Sequence, residues 1–310
     1  MRFLGNDLFI LNASPKPIRP VMYLSDLVKK IAMERDLESA TIGQYHRACQ
    51  KLGSFLGKIP EVDDLSEGNV NAFLTQLKDL GKSSTTIINY RVALTVIWNY
   101  AVARDLCQPF NARKLKRPKQ EQRVVRSWSL SQIKILIDAC AKVPGRLQCG
   151  VATGAFLAAW VRVGYDTGLR PSDLRLLRWA DVDFYQGTIT LTQHKTKRAH
   201  TARLSPAAIG LLAEIERPPR EKVFPLSKSG VRRIELILFA TAAKLGFRRM
   251  RGQGLGCLRK SHATQVYTAE GESAAAESLG HVSGTRTVRR HYIDSRSIKS
   301  GRLPPEPPAA

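Results

Sequence analysis

Four separated segments of this 310-residue sequence hold side chains suited to phosphodiester chemistry. Breaking a phosphodiester without a metal needs a nucleophile, cations that hold the extra negative charge of the transition state, and an acid for the leaving oxygen. The first segment, 167–179, places Arg170 directly after a Gly turn and near the start of a helix, with Asp173 three residues on. A guanidinium there offers a planar fork that matches phosphate, and the carboxylate can hold it in place. In the second, 192–198, Lys195 lies on what reads as the turn between two strands, from which a lysine reaches past the sheet and can protonate a leaving oxygen. The third, 257–264, puts Arg259 early in an amphipathic helix, as a second cation for the other non-bridging oxygen. The fourth, 279–293, provides His281 beside a helix-ending Gly280, and Tyr292 within a basic run. Taken singly, each is more often a surface, capping or core residue; in this order on one chain they form a set.

Other chemistries find less support. The five cysteines, Cys49, Cys107, Cys140, Cys149 and Cys257, are odd in number, widely spaced and free of C-x-x-C pairs, so they read as reduced thiols rather than disulfides or zinc ligands. Neither H-E-x-x-H nor a Walker A sequence occurs, and Gly252, Gly254 and Gly256 lack dinucleotide spacing. The Asp63–Asp64 pair reads as a turn or cap, not as a transposase-type carboxylate cluster. No metal site and no cofactor are expected. Lys and Arg outnumber Asp and Glu by 49 to 26, for a formal charge of +23, which favours a polyanionic partner. Nucleic acid leads over an anionic membrane, because no apolar run approaches the roughly 18 residues of a spanning helix. The first eleven residues do not read as a signal peptide, so a cytoplasmic location is expected.

The elements that must position these residues fall into two domains. After an N-terminal extension (1–20), residues 21–110 read as an all-helical domain with helices over 24–36, 39–56 and 66–80 and a last one starting at Ser83 or Ser84, on which Ile88, Val92, Val96 and Tyr100 recur four apart on one face. Residues 111–127 form a strongly basic linker in which Arg113, Lys114, Lys116, Arg117 and Lys119 are expected to lie along phosphates. The second domain, 128–300, begins with a helix over 129–142 capped by Ser129 or Ser131. Helices are also expected at 151–165, 206–216, 229–245, 258–268, 273–279 and 285–293. Between them, 187–192 alternates and is rich in β-branched residues, and 199–204 can pair with it as a small antiparallel sheet. The tail, 301–310, is proline-rich.

The order and content of these motifs resemble the tyrosine recombinase (phage integrase) family over nearly the whole chain. The matching residues are T-G-L-R at 167–170 with an acid at 173, the hairpin Lys195, L-R at 258–259, L-G-H at 279–281, and Tyr292. The resemblance implies a mainly α architecture: a helical core-binding domain plus an α+β catalytic domain with a small antiparallel sheet, forming a clamp around double-stranded DNA. It implies a site-specific recombinase or integrase of a mobile element, acting as a homotetramer on two DNA sites. Tyr292 is then the nucleophile, giving a 3′-phosphotyrosyl link and a free 5′-hydroxyl without ATP. Arg170 and Arg259 supply positive charge, Asp173 supports Arg170, His281 orients the phosphate or Tyr292, and Lys195 is the general acid. Lys195 is preferred to Lys197 because the second strand then falls at the family's usual offset. There are departures: Gly256 stands where the family usually has His, Lys260 where a second His is common, and the interval from His281 to Tyr292 is slightly long. His262, on the helical face of Arg259, is expected to compensate for Gly256 only in part. A non-catalytic DNA-binding relative and a type IB topoisomerase-like enzyme are the alternatives.

Overall fold

The computed structural model describes residues 21–119, 124–218, 220–280 and 285–297. The N-terminal extension, the proline-rich tail and His281 lie outside them. The chain divides into two compact units, one up to residue 122 and one from 123 onwards.

The first unit is built from four helices, α1 (Leu24–Glu34), α2 (Ser39–Leu56), α3 (Glu67–Asp79) and α4 (Ser84–Val102). Serine caps fix two of the starts: Ser66 accepts from the Asn69 amide and Ser83 from the Thr86 amide, each satisfying a donor that the first helical turn leaves free. The expected face of α4 is corrected. Val92 is exposed, and the core side consists of Ile87, Ala93, Leu94, Ile97, Trp98, Tyr100 and Ala101. This helix packs against α1, α2 and α3. A helix surrounded in this way is apolar nearly all round, so its own periodicity does not reveal which stripe is innermost.

The first half of the basic stretch is fastened to this unit. Arg91 donates to the Ala112 carbonyl, Asn71 donates to the Lys114 carbonyl and accepts from the Lys116 amide, and Leu115 is buried. The side chains of Arg113, Lys114, Lys116, Arg117 and Lys119 remain exposed along it. Lys116 donates to Thr75 at 2.8 Å, and Lys114 stands 3.8 Å from Glu67.

The second unit carries α5 (Leu130–Cys140), α6 (Thr153–Thr167), α7 (Pro171–Leu176), α8 (Pro206–Ala213), α9 (Lys228–Lys244), α10 (Cys257–Glu270), α11 (Glu272–Ser278) and α12 (Thr285–His291). Ser129 caps α5 in a reciprocal box with Gln132. The central helix is α6, whose Phe156, Leu157, Ala159, Trp160, Val161 and Val163 are buried against α5, α8, α9 and α10. Between α7 and α8 lies a three-stranded antiparallel sheet, β1 (Val182–Asp183), β2 (Thr188–Thr192) and β3 (Ala199–Arg203), in spatial order β1-β2-β3. Its register pairs Ile189 with Ala202 and Leu191 with His200. Alternation puts these four on the inward face, while Thr190 and Thr201 join hydroxyls at 2.9 Å on the outer one. A smaller core of Ala263, Ala275, Ala276, Leu279, Val288 and Ile293 ties α10, α11 and α12 together, with Tyr292 packed against it.

Candidate active site

Two turns and two helix starts converge in the second unit. Helix α6 ends at Gly168, whose φ of 59° is the left-handed conformation that glycine adopts without strain. A side chain there would also collide, since a Cβ would lie 2.6 Å from His262 and 2.8 Å from Leu279. The sharp turn leaves Arg170 at the N-cap of α7, with Pro171 opening the helix. Arg170 donates to Gln193 Oε1 at 2.9 Å and stands 3.7 Å from Asp173, whose side chain is fully buried. The other oxygen of Asp173 accepts from the His194 amide at 3.1 Å, which anchors the β2–β3 turn to α7.

Arg259 comes from the first turn of α10 and is 2% exposed. It donates to the Gly168 carbonyl at 2.6 Å and to the Leu279 carbonyl at 3.1 Å. It also donates to the Tyr292 hydroxyl, and its guanidinium carbon lies 4.9 Å from the centre of the Tyr292 ring. Burial, reinforced by the charge of Arg170, pulls the Arg259 guanidinium down to about 10 despite Tyr292 and Asp173. Two cations thus share a site with one buried carboxylate, an imbalance that an incoming phosphate relieves.

Gln193 links the two arginines: it accepts from Arg170 and donates to the same Leu279 carbonyl at 3.2 Å. Tyr292 directly follows α12, its amide bonded to the Val288 carbonyl. The chain after it is held by Asp294, which accepts from the Ser127 amide and from Arg296, while the Asp294 amide donates to Thr264. Burial pushes the Asp294 carboxyl up, but the hydrogen bonds from Arg296 and Ser127 outweigh it and hold the group below the usual carboxylate range.

The structure therefore brings together Arg170, Asp173, Arg259 and Tyr292. Lys195 stands exposed on the β2–β3 turn, with no hydrogen bond or ion pair to the cluster among the described residues. His281 is outside the described residues, and the five linker cations belong to the other unit. His262 is hydrogen-bonded to α6. Its Nδ1 lies 2.8 Å from the Tyr165 carbonyl and so carries the proton, leaving Nε2 an acceptor, and burial pushes the imidazole down to about 4. Residue types in sequence do not single out Gln193, His200 and Asp294. The available signal was a polar residue on the inward side of a strand that alternates, which His200 is.

A family model described as the phage integrase family matches residues 129–297, more than half of the chain and all of the site just described. The chain belongs to the phage integrase family. Among relatives of this integrase-family chain, tyrosine recombinase XerC of Natranaerobius thermophilus is 23% identical over 196 residues, covering 62% of each chain. The chain thus spans about three fifths of that relative's length. XerC of Alcanivorax borkumensis is 24% identical over 285 residues, covering 86% of this chain and 88% of the relative. Two solved structures share the fold. A lambda integrase dimer bound to a COC′ core site has a TM-score of 0.69 at 16% identity, covering 92% of this chain and 81% of that one. A lambda integrase tetramer bound to a Holliday junction has a TM-score of 0.67 at 17% identity, covering 91% and 80%. Among the described residues of this family member, no helix is long and apolar enough to cross a membrane, and no group of His, Cys, Asp or Glu is placed to hold a metal ion.

Proposed function

We propose that this chain is a site-specific DNA recombinase or integrase that cuts and rejoins DNA through a phosphotyrosyl intermediate at Tyr292. The observation that carries the reading is the Tyr292 hydroxyl held by the buried Arg259, whose charge is unbalanced beside that of Arg170. A tyrosine hydroxyl ordinarily loses its proton near pH 10. A strongly cationic phosphate site favours that loss and stabilises the charge that develops on the phosphoryl oxygens. In cleavage the Tyr292 oxygen bonds to phosphorus and gives up its proton to water, and the bond from phosphorus to the 5′-oxygen breaks. Lys195, on a turn anchored through His194 to Asp173, protonates that oxygen; His281 orients the phosphate or the tyrosine. Rejoining runs the same steps backwards from a new 5′-hydroxyl.

In this reading the partner is double-stranded DNA, and strand exchange takes place in a homotetramer on two sites in the cytoplasm. The likeness to a lambda integrase tetramer on a Holliday junction supports the assembly. The basic stretch of Arg113, Lys114, Lys116, Arg117 and Lys119 supplies phosphate contacts.

The test is covalent trapping on nicked duplexes recovered by selecting DNA that the protein binds from a randomised pool. Tyr292→Phe removes one hydroxyl, so it abolishes the adduct and leaves binding nearly intact; the wild-type adduct persists in EDTA. Adduct formation by the Phe variant refutes the assignment to Tyr292, and DNA binding with no adduct from the wild type points to a non-catalytic relative.

A further inference from the structure

We propose that His200 is an imidazole of the phosphate site, a donor from β3 that takes up the part Gly256 leaves without a side chain. This rests on the recombinase reading of the Arg170 and Arg259 cluster. His200 lies on the inward face of β3, opposite Leu191, in a register whose alternation assigns that face to apolar residues. A polar ring in such a place normally finds a hydrogen-bond partner, because leaving a buried nitrogen unsatisfied is costly. The Nε2 of His200 is buried and has none among the described residues.

The surroundings say what would satisfy it. The ring packs on the Leu279–Gly280 turn, where a Cβ on Gly280 would come within 2.9 Å of its Nδ1. The Leu279 carbonyl in that turn is the one that Arg259 and Gln193 share. Among the described residues, the charged and titratable groups facing His200 are Arg259 and His262 from α10, Asp173 from α7 and Arg170 at its N-cap. Burial, then Arg259, then Arg170 lower its pKa, with Asp173 opposing. Burial and the two guanidiniums thus disfavour the charged ring, and an anion bound beside them opposes that effect. Of the pair, Arg170 keeps 14% of its side chain exposed and so marks the side from which a phosphate enters. His262 cannot serve, since its single proton is committed to the Tyr165 carbonyl.

Two measurements test this. The first follows the His200 imidazole by NMR through a pH titration with and without inorganic phosphate, the resonance being assigned from its loss in His200→Gln. Phosphate is expected to raise the pKa toward the ordinary histidine value; an unmoved pKa overturns the proposal even if recombination is never observed. The second is single-turnover adduct formation on the selected nicked duplexes. His200→Ala is expected to slow it about 10²-fold, as loss of one preorganised donor to developing charge does. His200→Gln, which keeps a side-chain N–H, recovers part of the rate, and the wild-type advantage over Ala shrinks as pH rises. A folded, DNA-binding His200→Ala that reacts at the wild-type rate refutes the role, and equal losses in Ala and Gln without a pH trend mark a structural residue. Failure of the recombinase reading would instead show as no wild-type adduct, or as an adduct formed by Tyr292→Phe.

Discussion

Substituting Gly280→Ala strikes the site at a crowded backbone turn. Gly280 has a φ of +67°, and its Cβ position lies 2.8 Å from Gln193 Nε2 and 2.9 Å from His200 Nδ1. The left-handed conformation costs an alanine about 1–2 kcal/mol. Pushing Gln193 aside breaks its bond to the Leu279 carbonyl inside the protein, which adds about 1–3 kcal/mol. The sum is a destabilisation of about 2–5 kcal/mol. Gly246→Ala is the control: its φ is +87°, in the same unit, and nothing lies within 4 Å of its Cβ position. It should carry only the conformational cost. Because Gln193 also holds Arg170, Gly280→Ala should slow single-turnover adduct formation about 10²-fold, the penalty typical of a phosphate misplaced by about 1 Å. Denaturant unfolding and suicide-substrate cleavage measure the two effects. Equal destabilisation in both variants, with cleavage unchanged in Gly280→Ala, would refute the reasoning that this turn sets the arginine geometry.

Neutralising Arg113, Lys114, Lys116 and Arg117 together should flatten the log–log salt dependence of DNA affinity by about 0.9 for each phosphate contact removed; an unchanged slope and affinity would show that the stretch does not touch phosphate. A Cβ at Gly256 would meet Pro171 at an ordinary 3.7 Å, so Gly256→His should offset part of the loss in His200→Ala. No gain in that background, in folded protein, counts against a role shared by the two positions. Asp294 is an acid with a folded pKa below its unfolded one, so it contributes stability above the ordinary carboxylate pKa and loses it as pH falls through the depressed value. The gap in Tm between wild type and Asp294→Asn should therefore be widest near neutral pH and close in acid; a gap independent of pH would count against this.

Local chemistry made much of this protein legible. Helix starts followed serine caps such as Ser83 and Ser129, Gly168 marked the end of α6, and the alternation at 187–192, with 199–204 able to pair with it, marked a hairpin. The order of the motifs that carry Arg170, Asp173, Lys195, Arg259, His281 and Tyr292 pointed to one site through its resemblance to the phage integrase family. What only the tertiary structure decided depends on neighbours far away in the chain. Val92 faces solvent because three helices, not the pattern of α4, choose its buried stripe. The two-residue strand β1 exists only through its pairing with Ile189 and Thr188. Gln193 becomes the link between the arginines through Leu279, and Asp294 fixes the Tyr292 segment through Ser127 at the opposite end of the unit. His200 and His262 are the same residue type and both lie close to Arg259, and each leaves its Nε2 without a hydrogen bond among the described residues, yet the Tyr165 carbonyl claims the Nδ1 proton of His262 alone. Sequence sets which groups are present and their local conformation; hydrogen-bond partners and burial, which decide what an ionisable group can do, come from contacts that only the folded chain makes.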